Sequence, residues 1–325
     1  MNKEVDLAII GAGPAGMSAA IYGSRAGLNT VMIDSGAPGG KLLKTYHIAN
    51  YPGVPEVNGA DLAASMFEQS TAFGAEYMYG KVVEVNAQKE ITLEDGSQIS
   101  AKAVILAMGT QEAMMGIPNE KANIGHGVSF CAVCDGAFFR DMPVIVVGSN
   151  NAAIEEANFL TMFASKVTIL VEGLEIQADP SVQKYLENQP KIEVLHETKP
   201  LEVCSEKGRV TGLIVDEKGQ KKTLEAKGIF PYQGQNPMSS ALKSLDILDS
   251  RGYVLVDENR MTKVAGIYAA GDIIAKDLRQ IVTATSDGAI AAQHANKMIK
   301  MKKILKNATR ILVANLLFNR NRMSL

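Results

Sequence analysis

Val5-Asp6-Leu7-Ala8-Ile9-Ile10-Gly11-Ala12-Gly13-Pro14-Ala15-Gly16 is a short apolar run that breaks into a glycine-rich turn. Residues 17–27 are small and read as a helix, and Thr30 to Ile33 reads as a second strand that ends at Asp34. Strand, glycine turn, helix and a second strand with a terminal acid make a complete βαβ dinucleotide fingerprint. Gly11 allows the tight turn, Gly13 lets the backbone approach a pyrophosphate, and Gly16 lets helix and strand pack closely. Asp34 stands where a carboxylate accepts ribose hydroxyls. A purely structural glycine turn has no need of that acid.

A second unit of the same kind begins at Pro143-Val144-Ile145-Val146-Val147-Gly148, continues as a helix from Ala152 to Phe163, and closes on a strand from Lys166 to Val171. Between the two, Gly59 to Phe73 has helical periodicity, Lys81 to Val85 and Glu90 to Leu93 read as a hairpin, and Ala103 to Ala107 as a buried strand. Later come strand-like Val210 to Val215 and Ala226 to Phe230, then Gly266 to Asp272, a strand ending in a Gly-Asp corner, and a helix from about Ser286 to Lys300. The predicted class is α/β, with two doubly wound Rossmann-like domains, and 325 residues are enough for two cores.

The chemistry concentrates at Cys131-Ala132-Val133-Cys134-Asp135. Two of three cysteines, two residues apart, suit a reversible disulfide, and the adjoining acid can move the protons that thiol chemistry requires. Half of a zinc site has the same spacing, but a structural zinc needs two more ligands. Cys204 and the four histidines are the candidates, and none is paired at ligand spacing. No metal is expected. Two buried structural thiols are the remaining alternative.

Composition sets bounds. Apolar content of 46% and charged content of 21% are those of an ordinary globular protein, and a net charge of −2 argues against a nucleic-acid surface. Three cysteines do not make a disulfide scaffold, the N-terminus reads straight into a strand without a signal-peptide core, and no apolar run approaches a membrane span. The expected compartment is the cytoplasm. After Asp287 the chain carries no acidic residue, so 301–325 reads as a basic C-terminal tail.

Taken together, Gly11–Gly16, Pro38-Gly39-Gly40, Cys131 to Gly136, and Gly266–Asp272 followed by Arg279-Gln280 resemble the low-molecular-weight, bacterial-type thioredoxin reductases of the flavin disulfide reductase family. The resemblance runs from about residue 3 to 300. It implies an FAD-binding domain built from 1–115 and 245–300, with an NAD(P)-type domain, 116–244, inserted into it and carrying the redox disulfide. It implies a homodimer and a thioredoxin-like protein substrate. Gly11, Gly13, Pro14, Ala15 and Gly16 would hold the FAD pyrophosphate and Asp34 the ribose. Ser35, Gly39, Gly40, Lys41 and Asn50 would line the cofactor, with Lys41 replacing the usual Gln. Gly271, Asp272, Arg279, Gln280 and Ile281 would complete the site, Asp272 reaching the ribityl chain. Electrons would reach Cys134, Cys131 would attack the substrate disulfide, and Asp135 would act as general acid. A rotation of the inserted domain between two states is implied as well.

The second nucleotide unit departs from the family. Its turn is Gly148-Ser149-Asn150-Asn151-Ala152-Ala153, with Asn150 where the middle glycine admits a pyrophosphate. The following strand ends in Val171-Glu172-Gly173-Leu174-Glu175, with none of the arginines that neutralise a 2′-phosphate. In this the chain resembles the subgroup of flavin thioredoxin reductases that lack both nicotinamide signatures, and that resemblance implies reduced ferredoxin as the favoured electron donor, with NADH through Glu172 next and NADPH last. Two alternatives remain: an NAD(P)H-dependent reductase with an atypical nicotinamide site, and a flavin-binding scaffold or sensor without turnover.

Overall fold

The structure is a computed structural model. It describes residues 2–45, 48–187 and 189–322; the side chains of residues 2, 133, 134, 306, 307 and 309–322 lie outside the described residues, and that of Cys134 is among them. The chain forms two compact units, one from 1–110 and 237–325, the other from 111–236. The sequence reading sets the crossings at 115/116 and 244/245.

In the first unit, β1 (Asn2–Ile10), α1 (Pro14–Arg25) and β2 (Thr30–Asp34) realise the opening fingerprint. After α2 (Gly59–Thr71) and β3 (Glu76–Tyr79) comes the hairpin of β4 (Val82–Val85) and β5 (Glu90–Leu93), followed by the long β6 (Gln98–Leu106). The parallel order is β3-β2-β1-β6-β16, β16 being Ile267–Ala269; the first half of β6 also carries the hairpin antiparallel. The register pairs Ile10 with both Ile33 and Leu106, and Ala269 with Leu106. Four strands therefore end level, where an open parallel sheet binds its ligands.

Toward these ends the strands are apolar, Leu7 to Ile10, Val31 to Ile33, Ala103 to Leu106 and Ile267 to Ala269, because both faces are covered there. Leu7, Ile9, Met32 and Ile105 pack under α1, α2 and α6 (Ile281–Arg322). Ala8, Ile10, Ile33 and Val104 pack against Val85, Ile91, Leu245 and Val254, so the hairpin and the segment around 242–256 cover that face in place of helices. The last helix starts at Ile281, not Ser286, because Gln280 accepts the Ala284 N–H and Thr283 Oγ1 accepts the Gln280 N–H. It also does not stop at Lys300: the segment read as a tail continues the helix to Arg322.

The crossings are β7 (Thr110–Glu112) and β15 (Gln235–Pro237), which pair with each other. The second unit holds the short α3 (Ala132–Asp135), β8 (Pro143–Val147), α4 (Asn151–Leu160), β9 (Lys166–Leu170), α5 (Pro180–Gln183), β10 (Ile192–Leu195) and β14 (Gly228–Pro231). Its parallel sheet runs β10-β9-β8-β14, with α3, α4 and α5 over one face. An antiparallel sheet of β11 (Thr198–Glu206), β12 (Arg209–Glu217) and β13 (Gln220–Glu225) covers the other. Sequence reading finds the middle of β12 and a strand-like stretch, Leu201 to Cys204, within β11.

Candidate active site

The glycine turn of the first unit is built by backbone contacts that exclude side chains. Gly11 sits at φ +105°, and a Cβ there would lie 2.3 Å from the Ala107 carbonyl oxygen. Gly13 is the opposite case: a Cβ would meet nothing within 4 Å, so there is open space in front of it. Pro14 occupies the first turn of α1, and no side chain caps that helix. Its leading N–H groups remain for a ligand anion. Asp34 is held beside them, Oδ2 accepting the Ala12 N–H at 2.7 Å and Oδ1 the Gly36 N–H at 3.0 Å. Each oxygen keeps a lone pair for a ribose hydroxyl.

The loop from Ser35 to Lys41 folds back on that turn. The Gly39 N–H donates to the Ala12 carbonyl at 2.8 Å, and a Cβ on Gly40 would lie 3.3 Å from the Gly13 Cα. Lys41 Nζ donates to Thr110 Oγ1 at 2.6 Å. Asn50 and Gln280, 230 residues apart, meet through Asn50 Nδ2 and Gln280 Oε1 at 3.1 Å. Ile281 opens α6 directly after. Gly271, at φ +81°, packs with its Cα against Ala15 of α1, which brings Asp272 to the same end of the sheet. Arg279 is turned to the protein: its guanidinium donates to the carbonyls of Asp272 and Ile274 at 3.4 Å and lies 4.4 Å over the Tyr253 ring. It braces the corner.

Asp287 is a member of this site that sequence reading leaves without a role. It is 2% exposed. Its Oδ1 accepts from Arg260 Nε and its Oδ2 from Lys276 Nζ, both at 2.7 Å, and Oδ2 also accepts the Gly271 N–H at 3.1 Å. One buried carboxylate thus ties two cations to the Gly271–Asp272 corner. The available signal was an isolated acid at the head of an otherwise acid-free helix.

In the second unit Cys131 is disulfide-bonded and Cys204 is free. Ser129 clasps the first cysteine: its Oγ accepts the Cys131 N–H at 3.1 Å. The Asp135 N–H donates to the Cys131 carbonyl at 3.1 Å, closing one helical turn over the Cys-x-x-Cys segment. Among the described residues the Asp135 carboxylate makes no hydrogen bond or ion pair. No group of three or more side chains suited to a metal ion occurs among the described residues.

The second nucleotide-like turn differs from the first in the way its residues dictate. Asn150 caps α4: its Oδ1 accepts the Ala153 N–H at 3.0 Å while Nδ2 donates to the Tyr232 carbonyl at 2.9 Å. The amide fills the space that is open at Gly13, and it takes a helix N–H that a phosphate needs. Asn151 and Asp179 exchange two hydrogen bonds of 2.7 Å across the mouth of the turn. Glu172 Oε1 accepts from Gln233 Nε2 at 2.7 Å.

Glu156 lies on α4 nearly two turns beyond this cap. Burial first, and the neighbouring Glu155 second, push its carboxyl up to about 7. The folded protein holds a proton that the unfolded chain releases above about pH 4.5. Stability therefore falls as pH rises from about 4.5 to about 7, by on the order of 3 kcal/mol at 1.4 kcal/mol per pKa unit. Glu156→Gln cannot ionise and removes that loss. Its urea midpoint should exceed that of the unchanged protein at pH 8 and match it near pH 4; equal midpoints at both would overturn this account.

Comparison with known proteins agrees with this geometry. Residues 5–288 match the pyridine nucleotide-disulphide oxidoreductase family. The chain belongs to that family, and the relatives it resembles there are thioredoxin reductases. It is 43% identical to the thioredoxin reductase of Bacillus subtilis over 303 residues, covering 92% of this chain and 96% of that one. The solved thioredoxin reductase of Lactococcus lactis is 36% identical with a TM-score of 0.88, covering 91% and 99%. A solved ferredoxin-flavin thioredoxin reductase of Clostridium acetobutylicum is 27% identical with a TM-score of 0.52, covering 93% and 100%. The protein is a flavin oxidoreductase and its cofactor is FAD. The open Gly13 cradle, the uncapped start of α1 and the acid at Asp34 fit that group.

Proposed function

We propose that this chain is a flavin-dependent thioredoxin reductase whose electrons come from reduced ferredoxin rather than from a nicotinamide bound in the second unit. The observation that carries the donor assignment is Asn150. Its side chain is bonded at both ends, to the Ala153 N–H and the Tyr232 carbonyl, where a pyrophosphate would have to lie. The absence of arginine from 172–175 and the Glu172–Gln233 bond support the same reading.

The first unit binds FAD through Gly11, Gly13, Pro14, Ala15, Gly16, Asp34, the 35–41 loop, Asn50, Gln280 and the Gly271–Asp272 corner. FAD when bound supplies storage for the two electrons of one disulfide. The second unit carries the redox pair. Cys134 receives the electrons, Cys131 attacks the substrate disulfide as thiolate, and Asp135 holds the proton that Cys131 loses and regains. The second sulfur then resolves the mixed disulfide within the molecule, at high effective concentration. Phe138, 76% exposed, and the exposed Met142 follow α3 directly and offer an apolar surface suited to a protein substrate of the thioredoxin type. The active form is a homodimer in the cytoplasm; among the described residues no helix is long and apolar enough to cross a membrane.

The test is anaerobic bleaching of the flavin absorbance by photoreduced ferredoxin, NADH and NADPH side by side, followed by thioredoxin reduction. Ferredoxin should bleach the flavin at least about tenfold faster than either nucleotide. Fast bleaching by NADPH at micromolar concentration overturns the donor assignment, and by NADH it transfers the role to Glu172. Bleaching without any release of thiols from thioredoxin leaves a flavin scaffold.

A further inference from the structure

Glu156 has no part in the reading above, yet its surroundings tie it to the redox pair. It shares a stripe of α4 with Ala153, Ala157 and Leu160, which pack with Ala132 of α3 in one core. Its Oε2 is buried and has no hydrogen-bond partner among the described residues. Its charge reaches Tyr232, whose phenol is pushed up by burial first and by Glu156 second. Tyr232 Oη accepts the N–H of Ala132, the residue after Cys131, at 3.3 Å. The same tyrosine offers its carbonyl to Asn150.

We propose that Glu156 is a positioning residue that binds a proton when the disulfide is reduced, so that opening of the sulfur pair and protonation of this carboxyl are linked. The proposal rests on the reading of Cys131 as a redox-active sulfur. The balance is disulfide + carboxylate + 2 electrons + 2 protons → thiol + thiolate + carboxylic acid, with the electrons supplied by the reductase activity itself. The physical cause is like-charge repulsion across a poorly solvated core: a new thiolate disfavours the ionised carboxyl, and an ionised carboxyl disfavours the thiolate.

Among the described residues no cation pairs with this carboxyl. The elements packed on α4 bring Asp135 and Cys134 from α3, Lys166 from β9, Asp179 from the cap of α5, and Lys184 and Tyr185 from the turn after α5; β8 brings no charged or titratable group. Lys166 is paired with Glu193 at 2.7 Å, Glu155 is the exposed acid on α4 itself, and Glu112 acts on Tyr232 as a further negative charge.

The experiment uses the full FAD-loaded protein. The midpoint potential of the disulfide and the iodoacetamide alkylation rate of the reduced thiols are each measured from pH 5.5 to 9. Both profiles should bend near pH 7. Glu156→Gln should remove the carboxyl's bend from the potential, leaving only the bend at the thiol pKa, and should move that bend and the alkylation profile down by about half a pH unit or more. Glu156→Asp should keep a bend, displaced along the pH axis. An unchanged profile in Glu156→Gln overturns the proposal, and so does a profile of the unchanged protein with no bend, which decides the matter even if the variant does not fold. Thiol counts on Cys131 and Cys134 after reduction are read in parallel. If none appears, it is the underlying reading of the disulfide that fails.

Discussion

Serine at position 131 or 134 is expected to lower thioredoxin turnover by on the order of 10³-fold or more while the purified protein stays yellow. The two effects separate because the FAD turn and the sulfur pair are built in different units. Cys131→Ser removes the attacking nucleophile. Cys134→Ser removes the sulfur that releases the substrate, so a mixed disulfide with thioredoxin should accumulate and be visible on a non-reducing gel. Cys204→Ser, on β11 away from the pair in sequence, should leave turnover unchanged. Full turnover in either Cys131→Ser or Cys134→Ser would end the disulfide mechanism proposed for this chain.

The second large effect is expected at Asp287. Asp287→Asn keeps the shape and can still accept the Gly271 N–H, but it removes the charge facing Arg260 and Lys276. Breaking a buried pair by taking away one partner costs about 3–5 kcal/mol. The partial exposure of the two cations, 25% and 15% of their side chains, puts the expectation at the low end, about 3 kcal/mol. If about 2 kcal/mol of that falls on the Gly271–Asp272 corner, FAD affinity drops on the order of 30-fold. Flavin fluorescence released on dilution measures this directly. An unchanged FAD affinity would reduce Asp287 to a stabilising ion cluster with no role in the cofactor site.

How much could be read from the chain alone follows from the range of the contacts. Gly11, Gly13, Gly16 and Asp34 lie within one βαβ unit, so their roles follow from local rules, and the structure puts them at one end of four level strands. The loop at 39–41 is read locally only as a Pro-Gly-Gly turn, and its place beside the cofactor comes from the resemblance. Asp287 was not, because its partners are 11, 16 and 27 residues away in a fold that sequence periodicity does not assemble. Asn150 was legible as an obstruction but not as a cap tied to Tyr232, 82 residues later. The resemblance gives Arg279 to the cofactor site, while its guanidinium contacts with Asp272, Ile274 and Tyr253 belong to the fold and are not legible locally. The sheet β11-β12-β13 was largely missed: its strands are short of continuous apolar runs because one face is solvated. Sequence reading separates 301–325 from the last helix because the segment is basic and carries no acid, while the backbone continues helical to Arg322.

The division of the chain has a consequence for how the molecule is made. Residues 111–236 are uninterrupted, so the inserted unit can close as soon as it leaves the ribosome. The outer unit must wait. Its fifth parallel strand, Ile267–Ala269, its Gly271 contact with Ala15, and Gly288, whose missing Cβ lets α6 come down on the Ala15 carbonyl, all arrive in the final third of synthesis. The nascent N-terminal glycine turn is thus held without its far wall through most of translation, and the vitamin-derived cofactor can be captured only after the last helix is released.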